Sequence, residues 1–211
     1  MADYTLTKRE PCPPVIVGMV GHLRAGKDSV AAHLIKDYGF ARYAFADVLK
    51  DAALHLDPIV QVEAQTAYGY GYGGGLYEYA EVVETRLTEV VGAMGWDAAK
   101  AIPEVRRTLQ EYGMSIRAID PLFWVRAAMG RLVHDTRPVV VTDVRFPNEV
   151  DAIRDKGGII VRVTRPGANG DNHISERALN DTRADYTLNN DGTLTQLAYQ
   201  IDMKLGGRIK L

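Results

Sequence analysis

Gly21 and Gly26 bracket four residues and Lys27 follows directly, in the run Gly21-His22-Leu23-Arg24-Ala25-Gly26-Lys27-Asp28. Glycines at this spacing let successive backbone N–H groups turn inward around phosphate oxygens. A helix starting there adds the positive end of its dipole, and the lysine reaches the β- and γ-phosphates of a nucleoside triphosphate. Gly21, Arg24, Ala25, Gly26, Lys27, Asp28 and Ser29 are therefore candidate ATP-binding residues, with Arg24 either lying over the phosphates or facing solvent. Asp28 stands where such loops ordinarily offer Mg²⁺ a Ser or Thr hydroxyl. Its carboxylate either meets the metal, directly or through water, or is a first-turn acid favoured by the helix dipole. Ser29 is the neighbouring source of a hydroxyl.

A second constellation lies at Asp143 and Arg145. The run Val139-Val140-Val141-Thr142-Asp143 puts a carboxylate at the carboxyl end of an apolar strand, where open α/β sheets bind ligands. Asp143 suits a Mg²⁺-bound water or a substrate hydroxyl, and Arg145 suits the charge of a transferring phosphoryl group. The other reading is a helix cap and a surface salt bridge ahead of the helix after Pro147. Arg106 and Gln110 share one face of an expected helix, with Arg107 about 100° around it. That pattern either grips a phosphate and a base edge or is a solvated face. Trp124 reads as core, and Lys50 as an exposed helix lysine. The stretch 164–183, with Arg165, His173, Ser175, Glu176 and Arg177, is either a lid that closes over ATP or an ordinary surface loop. His173 has no cysteine or close histidine for a zinc site.

These groups need elements to carry them. Val15-Ile16-Val17-Gly18-Met19-Val20 is a continuous apolar run, the pattern of a strand buried on both faces, and it ends in the glycine loop. Val30, Ala31, Leu34 and Ile35 recur at helical spacing over 27–37, with Gly39 as a stop. The same reasoning predicts strands at 41–45, 138–143, 159–163 and 186–188, and helices at 47–56, 148–156 and 193–205. In the middle it predicts helices at 81–91, 103–118 and 121–134, with Pro103 and Pro121 in first turns. The glycines of 68–79 are costly in a helix or a strand, so that tract reads as a mobile surface loop. Strands alternating with helices predict an α/β fold with a mainly parallel sheet flanked by helices.

The 211 residues are 46% hydrophobic, enough for one sizeable core, and the expected organisation is a tail over 1–14 and a single domain over 15–211. A formal net charge of −2 supplies no global positive field for nucleic acid or an anionic membrane, so neither is expected as a partner. The single cysteine, Cys12, allows no intramolecular disulfide and no multi-cysteine metal site, which fits a reducing cytoplasm. No run reaches the roughly 18 apolar residues of a membrane span.

With these residues in view, the chain resembles the deoxynucleoside monophosphate kinases of bacteriophages, within the wider nucleoside monophosphate kinase group of P-loop proteins. The segments that carry the resemblance are Gly21-x-x-x-x-Gly26-Lys27-Asp28, Phe45-Ala46-Asp47-x-Leu49-Lys50, Arg106-Arg107-x-Leu109-Gln110-x-x-Gly113, Asp143-Val144-Arg145-Phe146-Pro147-Asn148-Glu149, Arg162-Val163-x-Arg165-Pro166-Gly167, His173-x-Ser175-Glu176 and Asn189-Asn190-Asp191-Gly192. The resemblance implies a three-layer P-loop NTPase fold with a lid over 164–183, and an acceptor-binding helical region over about 57–135. It implies ATP as phosphoryl donor, Mg²⁺ at Asp28 and Asp143, and Lys27, Asp143 and Arg145 as catalytic residues, with Arg165 at the ATP. Acceptor contacts are implied at Arg106, Arg107, Gln110, Gly113, Trp124, Asp143, Arg145 and Glu149. A homodimer and, for a phage protein, the host cytoplasm go with it. Met114-Ser115 departs from the threonine and glutamate that similar proteins often show after the glycine. Two other readings stay open: a phosphomevalonate-kinase-like enzyme acting on a small phosphate ester, and a non-catalytic nucleotide-binding module.

Overall fold

The computed structural model describes residues 15–132, 134–168 and 182–209. The 1–14 tail with Cys12, and the lid residues His173, Ser175, Glu176 and Arg177, lie outside them. The chain forms two compact units, Ala46–Trp124 and the flanking segments through Phe45 and from Val125 onward. Among the described residues no helix is long and apolar enough to cross a membrane.

The first unit holds a five-stranded sheet. Its strands are β1 (Ile16–Val20), β2 (Ala41–Tyr43), β5 (Val139–Val141), β6 (Ile159–Thr164) and β7 (Tyr186–Asn189), in the spatial order β2-β5-β1-β6-β7. Every pairing is parallel, with Val17 level with Val140 and Ile159. All five residues of β1 and all three of β5 are buried, as continuous apolar runs require when both sheet faces are covered. Val17, Met19, Val161, Val163 and Leu188 pack on one face against helix α1 (Lys27–Tyr38) and the last helix, α7 (Leu194–Ile209), through Val30, Leu34, Leu197, Ile201 and Leu205. On the other face Gly18 leaves room for Ile153 of helix α6 (Pro147–Asp155): a Cβ there would sit 2.6 Å from the Ile153 Cδ1. Helix, sheet, helix gives the three-layer α/β architecture the sequence predicts. Each fully buried aliphatic side chain contributes roughly 1.5–3 kcal/mol.

The second unit is built from α2 (Phe45–Leu56, whose first residue closes the first unit), β3 (Ile59–Tyr70), β4 (Leu76–Arg86), α3 (Leu87–Ala99), α4 (Pro103–Ile119) and the start of α5 (Phe123–Leu132). Ala53, Val60, Leu87, Val90, Ala99 and Val105 form its buried core. Pro103 opens α4, where its missing N–H is one the helix could not use. α3 bends at Gly95, whose φ of 75° lies in the left-handed region.

Here the structure corrects two expectations. The tract 68–79 is not a loop, and no helix spans 81–91: β3 and β4 form an antiparallel ribbon, pairing Val62 with Glu84 and continuing to Tyr70 with Leu76. The glycine run supplies only the turn, closed by Gly71 N–H to the Gly75 carbonyl (2.8 Å) and Gly74 N–H to the Gly71 carbonyl (2.9 Å). The helix begins at Leu87, where the Glu89 carboxylate accepts the Arg86 N–H (3.1 Å) and Asp57 accepts the Thr88 N–H (2.9 Å). Val82 and Val83 mimic the helical spacing of Leu87, Val90 and Val91, which hides the strand end when the pattern is read without a pairing partner.

Candidate active site

β1 and β5 are neighbours and parallel, so the loop after Val20 and the residues after Val141 emerge at the same edge of the sheet. That edge, the carboxyl end, is where doubly wound sheets bind ligands. The loop is shaped by positive-φ residues, Gly21 at 148°, Arg24 at 62° and Gly26 at 104°. Both glycines are needed for space as well. A Cβ on Gly21 would meet the Val163 carbonyl oxygen at 2.3 Å, and one on Gly26 would meet the Asn190 Nδ2 at 2.2 Å. Gly26 caps α1 with no side-chain hydrogen bond, so the first-turn N–H groups and the dipole face the loop. Lys27 crosses the loop, its Nζ donating to the carbonyls of Gly21 (2.6 Å) and His22 (2.9 Å). Ala25 is buried and turns the loop through its N–H to the His22 carbonyl (3.2 Å). Arg24 and Asp28 are exposed and Ser29 is half-buried, with Asp28 in the first turn of α1. A loop of this geometry can wrap a polyphosphate.

After β5, the Asp143 Oδ1 accepts the N–H of Phe45, the first residue of α2, at 2.8 Å. The residue thus does cap a helix, though α2 rather than the helix after Pro147. Arg145 is exposed. Its N–H and that of Phe146 both donate to the Glu149 Oε2, at 2.7 and 3.1 Å. Glu149 is only 2% exposed, and by accepting these two N–H groups it shapes the backbone that presents Arg145. Arg165 is exposed just past β6, in a turn closed by Ala168 N–H to its carbonyl (3.1 Å).

In the second unit Arg106, Arg107 and Gln110 line a concavity of about 490 Å³ together with Asp97, Lys100, Ala101 and Pro103. Three cations face one carboxylate there, and that carboxylate already pairs with Lys100 (3.5 Å). The Arg107 guanidinium is braced by Glu104 and by Glu111 (2.7 Å), and hydrogen bonds to the two carboxylates, Glu104 foremost, raise its pKa further above the usual arginine value. Arg106 has no carboxylate partner among the described residues. A dianionic phosphate entering this concavity therefore finds one guanidinium held in place and another free to close on it.

Gly113 and Trp124 meet each other instead. The Trp124 indole N–H donates to the Gly113 carbonyl (3.0 Å), the ring is 4% exposed, and Tyr112 and Phe123 pack edge-on against it. This is the core placement the bare sequence suggests for the tryptophan. Lys50 is a correction: it is half-buried, pairs with Asp47 (2.9 Å) and lies 5.9 Å over the Trp96 ring. Lys100 escaped the sequence reading, because a lysine ahead of a helix carries no motif; the short turn between α3 and α4 brings it beside Arg106 and Arg107.

Over residues 78–201, more than half of its length, the chain matches the family described as deoxynucleotide monophosphate kinase. The chain belongs to this family. A protein of Acanthamoeba polyphaga mimivirus, named provisionally for the same activity, is 28% identical over 89% of this chain and 94% of its own. The deoxynucleotide monophosphate kinase of Enterobacteria phage T4 is 23% identical over 88% of this chain and 96% of its own. That of Escherichia phage RB69 is 30% identical, over 46% of this chain and 43% of its own. As a deoxynucleotide monophosphate kinase, the protein is a phosphotransferase with ATP as donor. The family match covers the basic concavity and the Asp143–Arg145 turn but starts downstream of that loop. The donor side accordingly rests on the loop's own geometry.

Proposed function

We propose that this kinase transfers the γ-phosphoryl group of ATP to a deoxynucleoside 5′-monophosphate, giving the diphosphate used for DNA precursors. The observation that carries the reading is the pair of anion sites: a glycine cradle crossed by Lys27 at the sheet edge, and a cationic concavity at Lys100, Arg106, Arg107 and Gln110. Two separate phosphate-binding chemistries suit a donor and an acceptor better than a nucleotide-binding module, which needs one.

The acceptor phosphate is already ionised, so the reaction needs alignment and charge neutralisation more than a strong base. Lys27 and the inward N–H groups of the loop hold the donor's phosphates, with Arg24 and Arg165 at their periphery. Arg106, Arg107 and Gln110 hold the acceptor, and Arg145 neutralises charge in the transition state. Glu149 contributes by fixing the turn that carries Arg145, and Gly113 and Trp124 by fixing the helix that carries Arg106 and Gln110.

Mg²⁺ fits this donor set in one way only. Among the described residues no group of three or more carboxylate, histidine or cysteine side chains could hold a metal by itself. Mg²⁺ ordinarily takes phosphate and water oxygens plus one or two carboxylates, and Asp28 and Asp143 would supply those. When bound, the ion neutralises charge on the β- and γ-phosphates.

A coupled assay of ADP release with each of the four dNMPs, with mevalonate phosphate and with no acceptor tests the reading. ADP release that depends on a dNMP supports it. Release only with mevalonate phosphate, or ATP binding without turnover on any acceptor, would overturn it.

A further inference from the structure

Thr142, Glu149 and Asn190 are the buried polar residues among those described. Thr142 and Glu149 bond within the β5 end of the sheet and the turn after it. Asn190 does something else: its Nδ2 donates to the Ala25 carbonyl, 2.9 Å away and 165 residues apart in the chain, in the middle of the glycine loop. A carbonyl accepts only from a donor, so the amide must present its NH₂ here.

Asn190 is itself held from two sides. Its backbone N–H donates to the Thr164 carbonyl at the end of β6 (2.7 Å). The preceding residue, Asn189, exchanges two bonds with the Gln200 side chain on α7: Asn189 N–H to Oε1 (3.0 Å) and Nε2 to the Asn189 carbonyl (2.8 Å). The amide is thus a strut from the sheet and α7 to a loop whose own backbone has φ values of 148°, 62° and 104°. Such conformations persist only where the surroundings hold them.

The direction of that hold matters. In a trans peptide the carbonyl and the following N–H point opposite ways across a rigid plane. Fixing the Ala25 carbonyl toward Asn190 therefore turns the Gly26 N–H away from the amide and sets the direction in which it can donate. A Cβ on Gly26 would lie 2.2 Å from the Asn190 Nδ2, so the amide packs closely against this plane.

We infer that Asn190 is a positioning residue for the donor phosphates, acting through the Ala25–Gly26 peptide without touching the nucleotide. The inference rests on the reading of the glycine loop as the ATP site. It is tested with the full chain by measuring binding of ATP and ADP, and steady-state KM for ATP and for the best dNMP, in wild type, Asn190→Asp and Asn190→Ala. The aspartate keeps the shape and replaces the donor by a second acceptor facing Ala25; the alanine removes the group. Both variants are expected to bind ATP and ADP about 10-fold more weakly, Asn190→Asp the more so, as loss of a buried donor implies. The dNMP KM should stay within about twofold, since the acceptor contacts are untouched. Circular dichroism confirms folding, and Asn190→Ala carries the test if the aspartate variant does not fold. Unchanged ATP affinity in a folded variant, or equal losses for ATP and dNMP, would overturn the positioning role alone. A wild-type protein that binds no ATP would overturn the donor reading and this inference with it.

Discussion

The five-stranded sheet and the β3–β4 ribbon are both made of β-branched and aromatic sequence, yet they end in opposite environments. β1 and β5 are buried at every position. On the ribbon, Val62, Tyr68, Tyr70, Leu76 and Val82 alternate along one face and are all more than half exposed. β1 and β5 are continuous apolar runs that can only be satisfied between two layers, whereas the ribbon's alternation calls for one layer and, among the described residues, receives none along that face. The difference teaches that strand propensity and burial are separate properties. A tract can pair as a strand because its backbone bonds close a hairpin, with little apolar burial to support it.

The comparison can be broken or sharpened by substitution. The largest effect is expected at Ile160, fully buried in β6: Ile160→Ala should lower the free energy of unfolding by roughly 2–5 kcal/mol in urea denaturation. A smaller loss would mean that the sheet's core can collapse around the gap. Next comes the loop that this sheet presents. Lys27→Ala should cost at least about 100-fold in kcat with the fold intact, the loss expected for one major electrostatic stabiliser. Near-normal turnover in a folded variant would sink the assignment of the donor site. In the second unit Arg106→Ala should raise the dNMP KM roughly 10- to 100-fold, as for a lost charge-assisted bond, while the ATP KM holds. A rise in the ATP KM instead would move Arg106 to the donor side. The smallest effect belongs to the ribbon, where Val82→Ser should shift stability by less than about 0.5 kcal/mol. A shift approaching that of Ile160→Ala would show that the exposed face is covered in solution.

Legibility in the sequence followed the same divide. The loop at 21–28 could be read because each requirement is local: two glycines, a lysine one place on, an apolar strand before and an amphipathic helix after. The carboxylate after β5 could be placed at the sheet edge for the same reason, since a buried parallel strand announces itself in five residues. The ribbon could not, because Tyr68 to Tyr79 read alone is a glycine-rich tract, and only its register against its own other half makes it a strand pair. Nor could Lys100 be tied to Arg106 and Arg107, or Glu149 be seen as buried and bonded to the turn that carries Arg145. Those outcomes depend on the turn between α3 and α4 and on burial.

The sequence by itself determined the chemistry offered at the glycine loop, the parallel sheet that carries it, and a family resemblance that the match over 78–201 upholds. Those follow from backbone geometry and apolar patterning, which act over a few residues. Tertiary structure alone decided which polar groups were spent inward: Asp143 on the Phe45 N–H, Trp124 on the Gly113 carbonyl and Asn190 on the Ala25 carbonyl. A donor and an acceptor far apart in the chain become partners only when folding brings them within hydrogen-bonding distance, and no spacing in the sequence records that encounter.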